Sequence, residues 1–272
     1  MNLLCKCLCV APSGFYKWSK KQLSKREIEN RKLKIAIEKI HIASRSTYGR
    51  RRVHHTVLHQ GLRFGQNRVA KMMKKMGLRG IGKRKFKVTT NSEYTRFVAP
   101  NLICQDFKSY TQDTLWCSDI TYIRTREGWL YLSIVLDTFS RAIIGWSIDS
   151  RIDAELVINS IQMAQQGQKN PTGVIFHSDR GSQYGSKKVR DHLKISGFYQ
   201  SMSSTGNCYD NAISETFFAS LKKELIHRCD FFTRKEAQTA IFQYIESFYN
   251  RIRRHSSLGY LSPLEYELSR NM

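Results

Sequence analysis

The sequence predicts an α/β core, a mixed five-stranded sheet with helices, preceded by an all-helical region. Three observations lead there. From Asp113 onward, β-branched and aromatic runs recur at Leu115–Arg124, Trp129–Asp137, Arg141–Ile148, Val174–Ser178 and Tyr199–Ser203. Helical periods at Asp153–Gln166 and Ser182–Ser196 separate the last of these runs. Upstream, Lys25–Ala43, Arg51–Gln60 and Gln66–Met76 read as helices.

In chain order, residues 1–46 form an N-terminal helical segment, in which Leu33, Ile37 and Ile40 share one stripe of the Lys25–Ala43 helix. Residues 47–79 read as a helix-turn-helix: Gly61-Leu62-Arg63-Phe64-Gly65 makes the turn and Gly77 closes the second helix. That second helix puts Val69, Met72, Met73 and Met76 on one face and Arg68, Lys71, Lys74 and Lys75 on the other, which is the layout of a helix that meets DNA. Residues 80–112 read as a basic linker, with Lys83, Arg84, Lys85 and Lys87 placed to touch phosphates.

Residues 113–228 make the α/β core. Its first three strands form an antiparallel meander with turns at Arg126-Glu127-Gly128 and Thr138-Phe139-Ser140. The stretch Trp129–Ile148 is apolar, but Asp137 and Arg141 interrupt it, so a hairpin is expected and not a membrane span. Residues 229–272 add a C-terminal helix and basic tail. Thr233-Arg234-Lys235-Glu236 is a capping box, and Ala237, Ile241, Tyr244, Ile245 and Phe248 face inward.

Charge restricts the partner. The chain has 45 Lys and Arg against 22 Asp and Glu, a formal net charge of +23. Between Lys39 and Ser92 there is no acid, and fifteen Lys or Arg occur. Such a balance calls for a polyanion, and the helix-turn-helix makes it nucleic acid. Seven cysteines, three of them at Cys5, Cys7 and Cys9, do not follow zinc-ligand spacing and suit a reduced cytoplasm. The first residues make a poor signal peptide, because Lys6 breaks a short apolar run.

Three acids stand out. Asp119 lies in the middle of a strand, where an unpaired carboxylate is costly. Asp179 follows the buried run Val174–Ser178, at the rim of a sheet. Glu215 comes after thirty-five intervening residues, early in a helix that aligns Asn211, Glu215 and Lys222 opposite the stripe Ile213, Phe217, Leu221 and Leu225. Brought together, three carboxylates repel one another and favour a divalent cation. A pair of Mg²⁺ ions held by carboxylates is the machinery for in-line attack on a phosphodiester. Asp137 reads as a turn acid, Asp210 as a helix cap, and Glu224 lies off the face of Lys222. His177 and Gln183 flank Asp179 with either an orienting or a structural role.

The segments WCSDITYI, LDTFSRAIIGW, HSDRGSQY, GNCYDNAISETFFASLKKE and YNRIRRHSSLGYLSP, in this order, resemble the DDE transposases of the IS-three family of bacterial insertion sequences, more narrowly the OrfB product. The resemblance runs from about Pro12 to Tyr266. It implies an RNase H-like core, catalytic and metal-binding Asp119, Asp179 and Glu215, two Mg²⁺ or Mn²⁺ ions, and a DNA contact from Lys222. It also implies DNA contacts from Arg254 and His255 in the C-terminal signature, terminal inverted repeats and target DNA as partners, and an oligomer on DNA. An OrfA partner or an OrfAB fusion belongs to the same pattern. A helix-turn-helix regulator on an inactive core is the rival reading, and the three acids argue against it.

Overall fold

The computed structural model describes residues 2–20, 22–82, 97–104, 106–107, 109, 111–204 and 211–270. Lys83, Arg84, Lys85, Lys87 and Asp210 lie outside the described residues. The chain divides into two compact units, Met1–Gly80 and Ile81–Met272.

The first unit is helical: α1 (Asn2–Cys7), α2 (Pro12–Ser19), α3 (Lys25–Ala43), α4 (Arg50–His59) and α5 (Gln66–Lys75). A capping box starts α3. Ser24 Oγ accepts from the Glu27 N–H at 3.2 Å, and Glu27 Oε2 accepts from the Ser24 N–H at 2.8 Å. Leu33, Ile37 and Ile40 of α3 are buried, as are Val53 and Val57 of α4 and Val69 and Met73 of α5. Each such side chain contributes about 1.5–3 kcal/mol of burial. Gly61, at φ +78°, turns the chain between α4 and α5.

The second unit holds one five-stranded sheet in the order β3-β2-β1-β4-β5. The strands are β1 (Leu115–Thr125), β2 (Gly128–Asp137), β3 (Ile143–Asp149), β4 (Ile175–Ser178) and β5 (Tyr199–Met202). β1 to β3 pair antiparallel, whereas β4 pairs parallel to both β1 and β5. This is the mixed sheet of an RNase H-like core. Asp153 caps α6 (Ala154–Gly167), accepting from the Leu156 N–H at 3.1 Å. α6 lies against β2 and β3 so closely that a Cβ on Gly145 would sit 2.2 Å from the Ser160 carbonyl. Trp116, Val135, Val157, Ile161, Phe176 and Leu193 fill the core between sheet and helices.

Three details differ from the sequence reading. The helix expected from Ser182 begins only at Lys187, as α7 (Lys187–Ile195). Tyr184 and Gly185 turn back on the Gly181 carbonyl instead, and Ser186 then caps the helix through the Val189 N–H. In α9 (Arg234–Phe242) the capping box is half made. Thr233 accepts from the Glu236 N–H at 3.0 Å, but Glu236 reaches the N–H of Phe232 at 2.9 Å. The later part of the expected linker belongs to the core: Ala99 and Ile103 are buried, and the Leu102 N–H bonds Ser201 Oγ on β5 at 2.9 Å. A run along β5 covers an edge that would otherwise offer open hydrogen-bonding groups.

α8 (Ala212–Glu224), α9 and α10 (Pro263–Arg270) complete the unit. After Phe242 the α9 helix widens to π-type turns over Gln243–Tyr249. Ala237, Ile241, Tyr244, Ile245 and Phe248 all face inward and are buried. Asn250 closes the other sheet edge: its amide donates to the Ile143 carbonyl and accepts from the Ile143 N–H, both at 2.9 Å. Among the described residues no helix is long and apolar enough to cross a membrane, and Trp129–Ile148 contributes to β2 and β3.

Candidate active site

Parallel pairing brings the first two acids together. Cys117 on β1 sits opposite His177 on β4 in the last pair of that ladder. Two residues further on come Asp119, still on β1, and Asp179, just past the end of β4, at the same end of the sheet. Asp119 Oδ1 accepts from the Ile120 N–H at 2.7 Å, and Asp179 Oδ1 from the Gly181 N–H at 2.9 Å. A Cβ on Gly181 would lie 3.0 Å from Asp179 Oδ1 and 3.1 Å from Gln183 Oε1, so glycine lets the loop wrap tightly around the carboxylate.

α8 brings the third acid, with Glu215 exposed in its first turn. The electrostatics link all three. The Asp119 carboxyl is pushed up to about 8, first by burial and then by the negative charge of Asp179, with Glu215 adding to it. Burial also raises Asp179 and Glu215. Opposing these effects on Asp119, the nearby Asn211 side chain lowers its pKa. Asn211 Oδ1 itself is buried and finds no hydrogen-bond partner among the described residues. Beneath the acids, the buried Tyr184 hydroxyl pairs with Ser118 Oγ at 2.8 Å.

The donor chemistry fits a hard divalent cation, being carboxylate and amide oxygen throughout. Among the described residues, no three His, Cys, Asp or Glu side chains are already gathered at ligand spacing. The carboxylates thus share one field without converging on one point.

Other expected positions fall differently. Lys222 lies on α8, half-buried, 5.4 Å above the ring of Tyr122; burial lowers its pKa, and the charge of Asp119 raises it. Lys71, Lys74 and Lys75 are exposed on α5. Arg68 is committed elsewhere: its guanidinium meets Glu29 at 2.7 Å and Asn30 Oδ1 at 2.9 Å, binding α5 to α3. Arg254, expected to meet DNA, is turned inward as well. It is 7% exposed, donates to the Tyr260 carbonyl at 2.7 Å and pairs with Glu265 at 3.3 Å. The His255 ring packs edge-on against Tyr249 at 5.0 Å. These two residues fold the C-terminal turn, because a guanidinium this buried needs partners within the protein. His177 is spent on β5, with Nδ1 2.9 Å from Ser201 Oγ. Asp137 holds the β2–β3 turn by accepting from the Phe139 N–H at 3.0 Å.

Sequence reasoning gave no role to Asn211 or Tyr184. Asn211 lay on the Glu215 face, and Tyr184 closes the HSDRGSQY segment, so their proximity to the acids had a faint signal.

Residues 110–208 and 215–270 match family models described as integrase core domains, and residues 27–86 match an HTH-like domain. A Shigella sonnei relative, the insertion element IS600 uncharacterized 31 kDa protein, is 41% identical over 97% of each chain. The transposase InsF for insertion sequence IS3A of Escherichia coli K12 is 41% identical over 98% of this chain and 93% of its own. Among solved structures, the HTLV-2 integrase catalytic core domain with magnesium, in a dimeric form, is 14% identical, covering 58% of this chain and 99% of its own at a TM-score of 0.43. Sheet order and matched domains define the class, an integrase-type DNA-recombining enzyme with a helix-turn-helix region. More narrowly, the chain belongs to the transposases of IS3-type insertion sequences, enzymes of the DDE type.

Proposed function

We propose that Asp119, Asp179 and Glu215 are the catalytic acids and hold two Mg²⁺ or Mn²⁺ ions, with which the chain cuts and joins DNA at the terminal inverted repeats of its element. The observation that supports this most directly is the electrostatic coupling of Asp119 to both other acids at the end of the β1–β4 ladder. Held by these carboxylates, two such ions would supply activation of a water or 3′-hydroxyl and stabilisation of the leaving oxygen.

The protein's own groups supply the rest. Asp119 sits on the central strand β1, Asp179 directly after β4, and α8 brings Glu215 to them. Asn211, close to Asp119, favours its ionised form. Lys222 offers a charge to a phosphate one face along α8. Lys71, Lys74 and Lys75, with Lys83, Arg84 and Lys85 of the linker, hold duplex DNA; Arg68 supports them from the α3–α5 contact. The chain works as an oligomer on DNA in the bacterial cytoplasm, with an OrfA partner or as an OrfAB fusion.

Strand joining on oligonucleotides carrying candidate element ends tests this. The expected result is Mg²⁺-dependent joined product that EDTA abolishes. DNA binding without any cleavage or joining in Mg²⁺ or Mn²⁺ would overturn it.

A further inference from the structure

Strand alternation puts Tyr122 and Arg124 on the solvent face of β1, and both are exposed. Trp129, diagonal to Tyr122 on β2, is 47% exposed, and Tyr122 is 56% exposed. Their rings meet edge to face, with centroids 5.4 Å apart. Lys222 leans over the Tyr122 ring. Together with Arg124, His227 and Phe231 they line a groove of about 790 Å³. Neither Tyr122 nor Trp129 is buried in the core, whereas Phe231 beneath them is; paired exposed aromatics rimmed by cations mark a binding surface.

The groove is built on fixed parts. At its far rim the Arg126 N–H bonds the Phe231 carbonyl at 3.0 Å, and the Arg234 N–H bonds Glu127 at 2.7 Å. Arg126 also pairs with Asp230 and lies 3.9 Å over the Phe232 ring. The nearby acid Asp230 is therefore neutralised by Arg126, while Arg124 and Lys222 keep their charges toward the groove. An occupant must offer flat apolar faces and negative charge together, which describes a nucleotide. An apolar peptide would leave the cations unused, and paired duplex bases would not expose their faces.

Position specifies the occupant further. Tyr122 is three residues beyond Asp119 on one strand, and Lys222 is seven beyond Glu215 on one helix. At ~3.3 Å per strand residue and ~1.5 Å per helix residue, both lie roughly 10 Å from the acids. That spans about three nucleotides of stacked rise.

We propose that this groove takes an unpaired nucleobase from the strand being cut, packed into the angle between the Tyr122 and Trp129 rings within a few nucleotides of the scissile phosphate, with Lys222 on its backbone. The inference rests on the strand-transfer reading above. It assigns Tyr122 and Trp129 as DNA-end residues.

Fluorescence anisotropy of the full chain in EDTA, with a labelled fifteen-nucleotide oligo-dT and a fully paired fifteen-base-pair duplex, tests it. Tyr122→Ala and Trp129→Ala should each weaken oligo-dT binding about tenfold, with duplex binding changed less than about twofold. Tyr122→Phe and Trp129→Phe should retain affinity, because the ring faces remain. The proposal is overturned if the wild type does not bind oligo-dT, if the double alanine variant binds it as tightly as wild type, or if the phenylalanine variants lose as much as the alanine ones. Since both rings are exposed, unchanged melting of the variants separates lost stacking from lost folding. Failure of the strand-transfer reading appears separately, as absence of joined product from the wild type in Mg²⁺.

Discussion

Arg253 and Glu224 form a buried two-pronged ion pair, Nε to Oε2 and Nη2 to Oε1, each at 2.9 Å, with side chains 5% and 6% exposed. The Tyr244 hydroxyl donates to the same carboxylate at 2.8 Å, and Ser220 Oγ accepts from Arg253 at 2.9 Å. The pair ties the end of α8 to the chain after Tyr249. Because Glu215 and Lys222 ride on α8, it also sets where they stand. Arg253→Ala should leave a buried unpaired carboxylate and cost about 3–5 kcal/mol. Denaturant unfolding measures this, and a loss under about 1 kcal/mol would show the pair to be marginal. Glu224→Gln should cost a similar amount, since it leaves the Arg253 guanidinium buried without a counter-charge and replaces one accepting oxygen by a donor.

The acids give the second expectation. Asp119→Asn, Asp179→Asn and Glu215→Gln should each abolish cleavage and joining while DNA binding persists. Mn²⁺ should raise the melting temperature of the wild type with concentration, and Asp119→Asn should remove most of that rise. Calorimetry on both proteins with and without Mn²⁺ checks this. A full metal response in Asp119→Asn would exclude it as a ligand.

The basic helix separates into two roles. Replacing Lys71, Lys74 and Lys75 with alanine should lower the log–log salt slope of duplex binding by about one unit for each phosphate no longer neutralised, with little change in stability. Arg68→Ala should instead destabilise the packing of α5 on α3, because it removes the bonds to Glu29 and Asn30. Filter binding across salt concentrations, paired with thermal melts, distinguishes the two. Equal slope changes from Arg68→Ala and from the lysines would refute the division.

Asp137 sets a pH dependence. Its carboxyl is raised from 3.8 to about 7, first by burial, against the opposing N–H bond from Phe139. The folded state therefore holds a proton that the unfolded chain releases near pH 4. Stability from this group is full below pH 4 and falls as pH rises to about 7, by at most roughly 4 kcal/mol. Asp137→Asn keeps the acceptor for Phe139 and has no charge to bury. Its melting temperature relative to wild type should climb between pH 4 and pH 7 and stay level above, and strand joining should be far less affected than in Asp119→Asn. A constant difference across that range would contradict the buried protonated acid.

Periodic features of this fold were legible in the chain itself. The Lys25–Ala43 helix ends where its apolar stripe ends, and the five strands lie where period-two or buried apolar runs lie. Both periods are written in neighbouring residues, so a linear reading reaches them. The candidate acids were legible for a similar reason, since each interrupts an otherwise apolar or helical pattern. Partnerships across distance were not. Nothing in the run Arg253-Arg254-His255 distinguishes a basic tail from two buried guanidiniums, because Glu224 and Glu265 come into range only when α8 and α10 dock. Arg68 looks like its lysine neighbours until α3 presents Glu29. Tyr122 and Trp129 look like ordinary strand aromatics until the sheet leaves their outer face uncovered beside Lys222. The sequence alone determined which elements form and which residues break their patterns. The tertiary structure alone decided which charges are spent inside and which stay at the surface, because that choice depends on partners brought close by packing and not by spacing along the chain.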